Sequence, residues 1–190
     1  MLNAFATPQI FIMGRILNAC GFDSDELYLK YDIIFGPNFN VLNGEKSGET
    51  FQSIAYEEDN INIVNFDQPL SLNLSCRSLN GWPKIFVEVW SNDSEGKNCI
   101  VGYGTGFIPV KSGFTKMTIN CWRPSESSSL TLEERLLGNN KEFNDKSAVY
   151  IQLKNLVFFL CLQDKLILNW NLFLKILFYM ELKFNFLNII

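Results

Sequence analysis

Histidine is missing from this chain altogether. Without it there is no side chain that titrates near neutral pH unless perturbed, so Ser-His-Asp and Cys-His catalysis and any His-ligated zinc site are excluded. Five cysteines are present, Cys20, Cys76, Cys99, Cys121 and Cys161, but they are widely spaced, odd in number and form no CxxC pair. That pattern offers neither a zinc cluster nor a paired disulfide framework, and it reads as reduced thiols in a cytosolic compartment. No run of five basic residues occurs, and the formal net charge is −4. Nucleic acid is therefore not an expected partner, because affinity for it comes largely from Lys and Arg neutralising phosphates. The opening MLNAFATPQIFIMGRI has no positively charged leader region, so no secretory signal is expected.

A further absence is local. All 12 glycines and all 6 prolines lie before residue 148, and the last 43 residues also lack Ser beyond Ser147 and Thr entirely. Those 43 residues hold 30 of the hydrophobic side chains, against about 40% in the part before them. Charge divides in the same place: the first 147 residues carry 12 Lys and Arg against 18 Asp and Glu, whereas the tail has four Lys against Asp164 and Glu181. An ordinary acidic domain is followed by an apolar segment without turn formers.

Within the first part, short apolar runs rich in β-branched and aromatic residues are bounded by Gly, Pro, Asn, Asp and Ser. Strands are expected at residues 9–17, 27–35, 50–56, 61–66, 69–75, 85–90, 102–110 and 114–121. Leu70, Leu72 and Leu74 alternate with Ser71, Asn73 and Ser75, as a strand with one face on a core and one in water requires. Ile85, Val87 and Val89 alternate with Lys84, Phe86, Glu88 and Trp90. Phe39–Gly44 with Gly48 reads as a loop, 80–83 as a break and 91–98 as a polar connection. Thr131, Glu133, Glu134 and Gly138 suit a short helix over 129–137. Eight short strands of this kind predict an all-β, two-sheet antiparallel sandwich with an atypical apolar C-terminal tail.

The stretch 81–110, GWPKIFVEVWSNDSEGKNCIVGYGTGFIPV, is more specific. A strand, a polar loop with acids and an Ile-Val-Gly step into a strand ending Ile-Pro-Val resemble the end of a C2 domain. Gly81-Trp82-Pro83, Gly102-Tyr103-Gly104, Pro109 with Ser112-Gly113, and Pro124-Ser125-Glu126-Ser127 resemble the B9 domain family within that superfamily. Asp25-Glu26-Leu27-Tyr28-Leu29-Lys30-Tyr31 and Val64-Asn65-Phe66-Asp67-Gln68-Pro69-Leu70 fit the same pattern. The resemblance covers residues 8–149 as a B9, C2-like domain, leaving 150–190 as a divergent hydrophobic tail. It implies a non-catalytic scaffold without cofactors, at the cilium base in the transition zone and basal body, within the cytoplasm and cytoskeleton. The implied partners are other B9 domain proteins and transition-zone membrane proteins of the tectonic-like (Meckel syndrome) complex. The implied role is support of ciliogenesis and of the barrier to membrane-protein diffusion into the cilium. The resemblance assigns no catalytic, cofactor or metal residue, and it leaves the partner-binding surface unknown.

Three chemical readings can be weighed beside it. Calcium-binding C2 loops supply several carboxylates, since a hard cation takes six to eight oxygens. The corresponding positions here are Ser91, Asp93 and about Cys99, with Asp23, Asp25 and Glu26 in another loop, and Asp93 suits a turn former. Peripheral lipid binding, the alternative function, asks for a basic face or apolar loop tips, and Lys84, Lys97, Lys111 and Lys116 are scattered along the sequence. Catalysis has little to work with: Glu57-Glu58-Asp59 and Glu133-Glu134 sit in polar segments. Gly102, Gly104 and Gly106 leave a strip without side chains that either receives a bulky neighbour or forms part of a partner interface.

The tail does not suit a membrane helix. Its uncharged stretches, 155–163 and 166–174, are nine residues each, and a span needs about twenty. A central Lys or Asp costs roughly 2.5–3.5 kcal/mol, of which one Leu, Ile or Phe returns about 0.3–0.6 kcal/mol. Dominated by Leu, Phe, Ile, Asn, Lys and Tyr, the composition matches translated AT-rich sequence, as intron read-through near residue 149 produces. On that reading the closing strand is lost and a sheet edge stands open, with 156–161 as a substitute strand.

Overall fold

The structure, a computed structural model, describes residues 7–92, 96–122 and 165–175. Every regular element among them is a strand: β1 Gln9–Cys20, β2 Glu26–Ile34, β3 Phe39–Gly44, β4 Ser47–Glu49, β5 Ser53–Ile54, β6 Tyr56–Glu58, β7 Ile61–Cys76, β8 Lys84–Asn92, β9 Asn98–Phe107, β10 Gly113–Trp122 and β11 Lys165–Lys175. All pair antiparallel, in the order β3-β7-β1-β11-β10-β9-β8-β2-β4, with β5 on β2 and β6 on β7. The path curls into two layers, and β10 joins them. Eight of its residues pair with β11, and only Cys121 and Trp122 pair with Gly104 and Tyr103 of β9. This is the all-β, C2-like sandwich that the strand pattern predicts.

Alternation builds the core. Ile10, Ile12 and Ile16 of β1 and Leu70, Leu72 and Leu74 of β7 face Leu27, Leu29 and Ile33 of β2 and Ile85, Val87 and Val89 of β8, all buried. Removing each such side chain from water contributes about 1.5–3 kcal/mol. Thr50 seals the margin of this core: its Oγ1 accepts from Leu29 N–H at 3.0 Å, and its own N–H donates to Leu29 O at 2.9 Å.

Several elements depart from the sequence reading. The stretch read as a loop contains β3 and β4, paired to β7 and β2. The two strands expected at 61–66 and 69–75 are one. Asp67, whose φ is +47°, sits in a register shift where Ile16 pairs with Gln68 and Asn18 with Asn65, so Phe66-Asp67 opposite Leu17 makes a bulge rather than a turn. Arg15 Nη1 holds the Asp67 carboxylate at 3.1 Å across this bulge.

The largest departure lies in the tail. The expected open edge is filled: β11 lies between β1 and β10, and its register sets Leu168 opposite Ile16 and Met117. Leu168 is fully buried in the core. The physical reason is periodicity. Leu166, Leu168, Trp170, Leu172 and Leu174 recur at every second residue with Asn169 and Asn171 between them, which is strand spacing, and Asp164-Lys165 bounds its start. No helix among the described residues is long and apolar enough to cross a membrane. The short helix expected at 129–137, the substitute strand at 156–161 and Cys161 lie outside the described residues.

Candidate interaction surfaces

The glycine strip of β9 faces inward. A methyl group on Gly104 would sit 2.7 Å from Ile119 Cγ2, 2.9 Å from Val87 Cγ2 and 3.1 Å from Cys121 Sγ. Those distances are below ordinary contact, so Gly104 is the place where β10 side chains close over β9. Phe22 approaches Gly102, and Ile119 and Met117 approach Gly106, in the same way. The strip receives bulky neighbours and presents no surface to a partner.

Gly81-Trp82-Pro83 ties three segments at one end of the sandwich. Gly81, at φ +81°, packs its backbone against Gly36, and Gly36 N–H donates to Gly81 O at 2.8 Å. Trp82 Nε1 donates to Ile108 O at 2.7 Å, while its ring meets Phe39 edge-on at 6.1 Å. Ile108 N–H in turn donates to Pro83 O at 3.1 Å. The landmark is a clasp between the β2–β3, β7–β8 and β9–β10 connections.

At the opposite end lie the loop acids. Asp23 and Asp25 are exposed, Asp25 O accepts from Ala55 N–H at 2.7 Å, and the Glu26 carboxylate accepts from Gln52 Nε2. Ser91 O accepts from Cys99 Sγ at 3.4 Å, and Asp93 lies outside the described residues. Among the described residues no three acidic or thiol groups converge on a point that a cation could occupy. The four described cysteines are free thiols.

The outer face of β2, β8 and β9 is where the structure adds most. Lys84, Glu88 and their neighbours were expected on a water face, yet Glu88 is only 3% exposed and Phe86 and Trp90 are buried. Along this face the register sets Tyr28 beside Trp90, Lys30 beside Glu88, and Tyr103 beside Glu88 on the other side. Tyr28 and Trp90 stack at 6.1 Å, and Lys30 Nζ lies 4.3 Å from the Trp90 ring centroid. Trp90 Nε1 donates to Glu88 Oε2 at 3.2 Å. Phe86, Tyr103 and Trp122 form a second hydrophobic cluster, with Tyr103 6.2 Å from Phe86 and 5.4 Å from Trp122.

Beside this aromatic face, toward β4, opens a cleft of about 420 Å³ lined by Lys30, Asp32, Ser47, Glu49, Phe86 and Glu88 among others. Burial, followed by Glu49, raises the Tyr28 hydroxyl above its ordinary value, and burial with Glu45 does the same for Tyr31. Both phenols stay neutral near pH 7, so they offer hydrogen bonds and ring faces rather than a base. The cleft's chemistry is that of recognition: aromatic walls, one cation and three carboxylates.

A family model described as ciliary basal body-associated, B9 protein, matches residues 10–172. The matched span reaches beyond Val149 and takes in most of β11. The chain is 28% identical over 142 residues to B9 domain-containing protein 2 of Danio rerio and 27% to that of Homo sapiens, covering 75% of this chain and 79% of each relative. It is 26% identical over 150 residues to B9 domain-containing protein 1 of Mus musculus, covering 77% of this chain and 73% of the relative. The landmarks of the sequence suggest protein 1 within this family; the relatives instead match protein 2 at up to 28% identity, with protein 1 matched as well.

Proposed function

We propose, from the premise that this chain belongs to the B9 family of ciliary basal body-associated proteins, that it is a non-catalytic scaffold subunit of the transition zone. It assembles with other B9 domain proteins and with membrane proteins of the tectonic-like complex, supporting ciliogenesis and the barrier to membrane-protein entry into the cilium. Its place is the cytoplasmic and cytoskeletal base of the cilium. The observation that carries the reading is the extent of the family match, which spans the sandwich from β1 into β11. A chain without histidine, whose most enclosed polar face is built of stacked aromatics, is suited to holding partners rather than transforming them.

Reconstitution with other B9 proteins tests this. Co-purification of the full chain with such a protein, and its loss on Lys30→Glu at the aromatic face, is the expected result. A chain that folds and stays monomeric with every B9 protein offered refutes the scaffold assignment.

A further inference from the structure

The cleft beside β4 carries an excess of negative charge. Register sets Glu49 opposite Lys30 and Lys30 opposite Glu88 in one row across β4, β2 and β8, with Ser47 opposite Asp32 and Asp32 opposite Phe86 in the next. Three carboxylates therefore line the cleft with one ammonium. That ammonium is turned toward rings: Lys30 Nζ lies 4.3 Å from the Trp90 centroid and 5.8 Å from that of Tyr28. Asp32 Oδ1 is shut off from water and accepts no hydrogen bond among the described residues, while Glu49 is exposed. A carboxylate oxygen enclosed without a donor is unfavourable, and a cationic N–H brought into the cleft would supply one. Glu45 and Lys46, exposed on the β3–β4 connection, offset each other.

The rim of the cleft is apolar and open on one side. The strand order ends at β4, so among the described residues no strand pairs along its outer edge. Beyond Glu49 the chain continues along β2 to Ile54, and on this stretch Phe51 is 89% exposed and Ile54 72%.

We propose that this cleft and its rim bind an extended segment of another protein, with an arginine side chain in the cleft and an apolar neighbour against Phe51. A guanidinium presents five donors in a planar fork and can meet Asp32 and Glu49 together, whereas an ammonium is a point charge on a flexible stem. An extended chain laid beside a terminal strand sends alternate residues to one face. An apolar residue two positions from the arginine thus matches the two-residue step from Glu49 to Phe51. Lys30 serves the wall rather than the recognition charge, and Lys30→Glu would unmake the wall by taking the cation from Trp90. The proposal rests on the scaffold reading for the class of partner and adds the side chain that the partner presents.

Fluorescence anisotropy of the full chain with a labelled peptide of alternating valine and arginine tests it, beside counterparts with lysine, glutamine or glutamate in place of arginine. The arginine peptide should bind, the lysine peptide more weakly, and the other two not at all. Asp32→Asn should weaken binding of the arginine peptide roughly tenfold, and Glu49→Gln and Phe51→Ser each roughly threefold. Glu57→Gln/Glu58→Gln, on β6 and away from the cleft, should leave it unchanged, with circular dichroism melts matching the parent in each case. Should Asp32→Asn fail to fold, Glu49→Gln and Phe51→Ser, both at exposed positions, carry the test. Equal binding of the arginine and glutamine peptides would overturn the proposal, as would binding indifferent to the cleft variants. Co-purification separates the two readings. No peptide binding, with a purified B9 protein captured equally by parent and variants, overturns the cleft and leaves the scaffold standing. Arginine-peptide binding that needs Asp32 and Glu49, with no B9 protein captured, upholds the cleft and refutes the scaffold. Self-association of the chain that the cleft variants abolish would place a second copy there and overturn the assignment to another protein.

Discussion

The two layers of the sandwich turn different faces outward. On β7 the residues between the core leucines are Ser71, Asn73 and Ser75, exposed or half-buried, and the neighbouring outer face of β1 carries exposed Met13 beside Arg15. On β8 the corresponding positions are Phe86, Glu88 and Trp90, all buried, against Tyr28, Lys30 and Tyr103. One layer is an ordinary amphipathic sheet, and the other packs on both sides. A strand enclosed on both faces tolerates truncation on neither, whereas an amphipathic one tolerates it on its water face.

That contrast can be broken by mutation. Phe86→Ala should destabilise by about 3–5 kcal/mol, as a core truncation does, although Phe86 lies outside the sandwich interior. Denaturant titration would show it, and a loss below about 1 kcal/mol would make the outer aromatic face no different from the polar one. Leu168→Ala should cost about 2–5 kcal/mol, since Leu168 is fully buried between Ile16 and Met117 in register. A neutral result there would mean that β11 does not close the sheet in solution. Gly104→Val should cost about 1–3 kcal/mol or more through overpacking against Ile119 and Val87. Ser71→Ala on the polar layer should change stability by less than about 0.5 kcal/mol.

The smallest effect is on pH dependence. Tyr28 and Tyr31 keep their protons above the ordinary value of 10.0 in the folded chain. The unfolded chain releases those protons first, so the stability they contribute is present below pH 10 and is lost as pH rises above it. Tyr31→Phe should flatten that alkaline loss. An unchanged slope would dissociate it from the buried phenol.

Much of this was legible in residues alone. The alternation of β2, β7, β8 and β10 fixes which side chains enter the core, because period two in a strand leaves no other choice. The clasp at Gly81-Trp82-Pro83 is visible as a landmark, though its partners Gly36 and Ile108 are not, since they are joined only by the fold. β11 carries a strand period that the overall greasiness of the tail conceals, and composition is a weaker guide than spacing there. Glu88 illustrates the opposite limit. A charged residue in an alternating strand reads as solvent-facing, whereas Glu88 is buried, beside Lys30 and Tyr103 in register and accepting from Trp90 Nε1. The placing of Arg77, Lys84 and Lys111 at one end likewise depends on which connections share that end of the sandwich.

The position of β11 has a consequence for how the chain is made. β1 is synthesised first but pairs on one side with a strand that begins 145 residues after β1 ends, Cys20 being opposite Lys165. At roughly 5–20 residues per second on the ribosome, that strand arrives about 7–30 s later. Until then the facing edges of β1 and β10 hold unpaired backbone groups, with high-sequence-separation contacts still to form. Sheet closure is therefore a late event, and a chaperone or assembly partner that reaches either edge in that interval competes with the protein's own last strand.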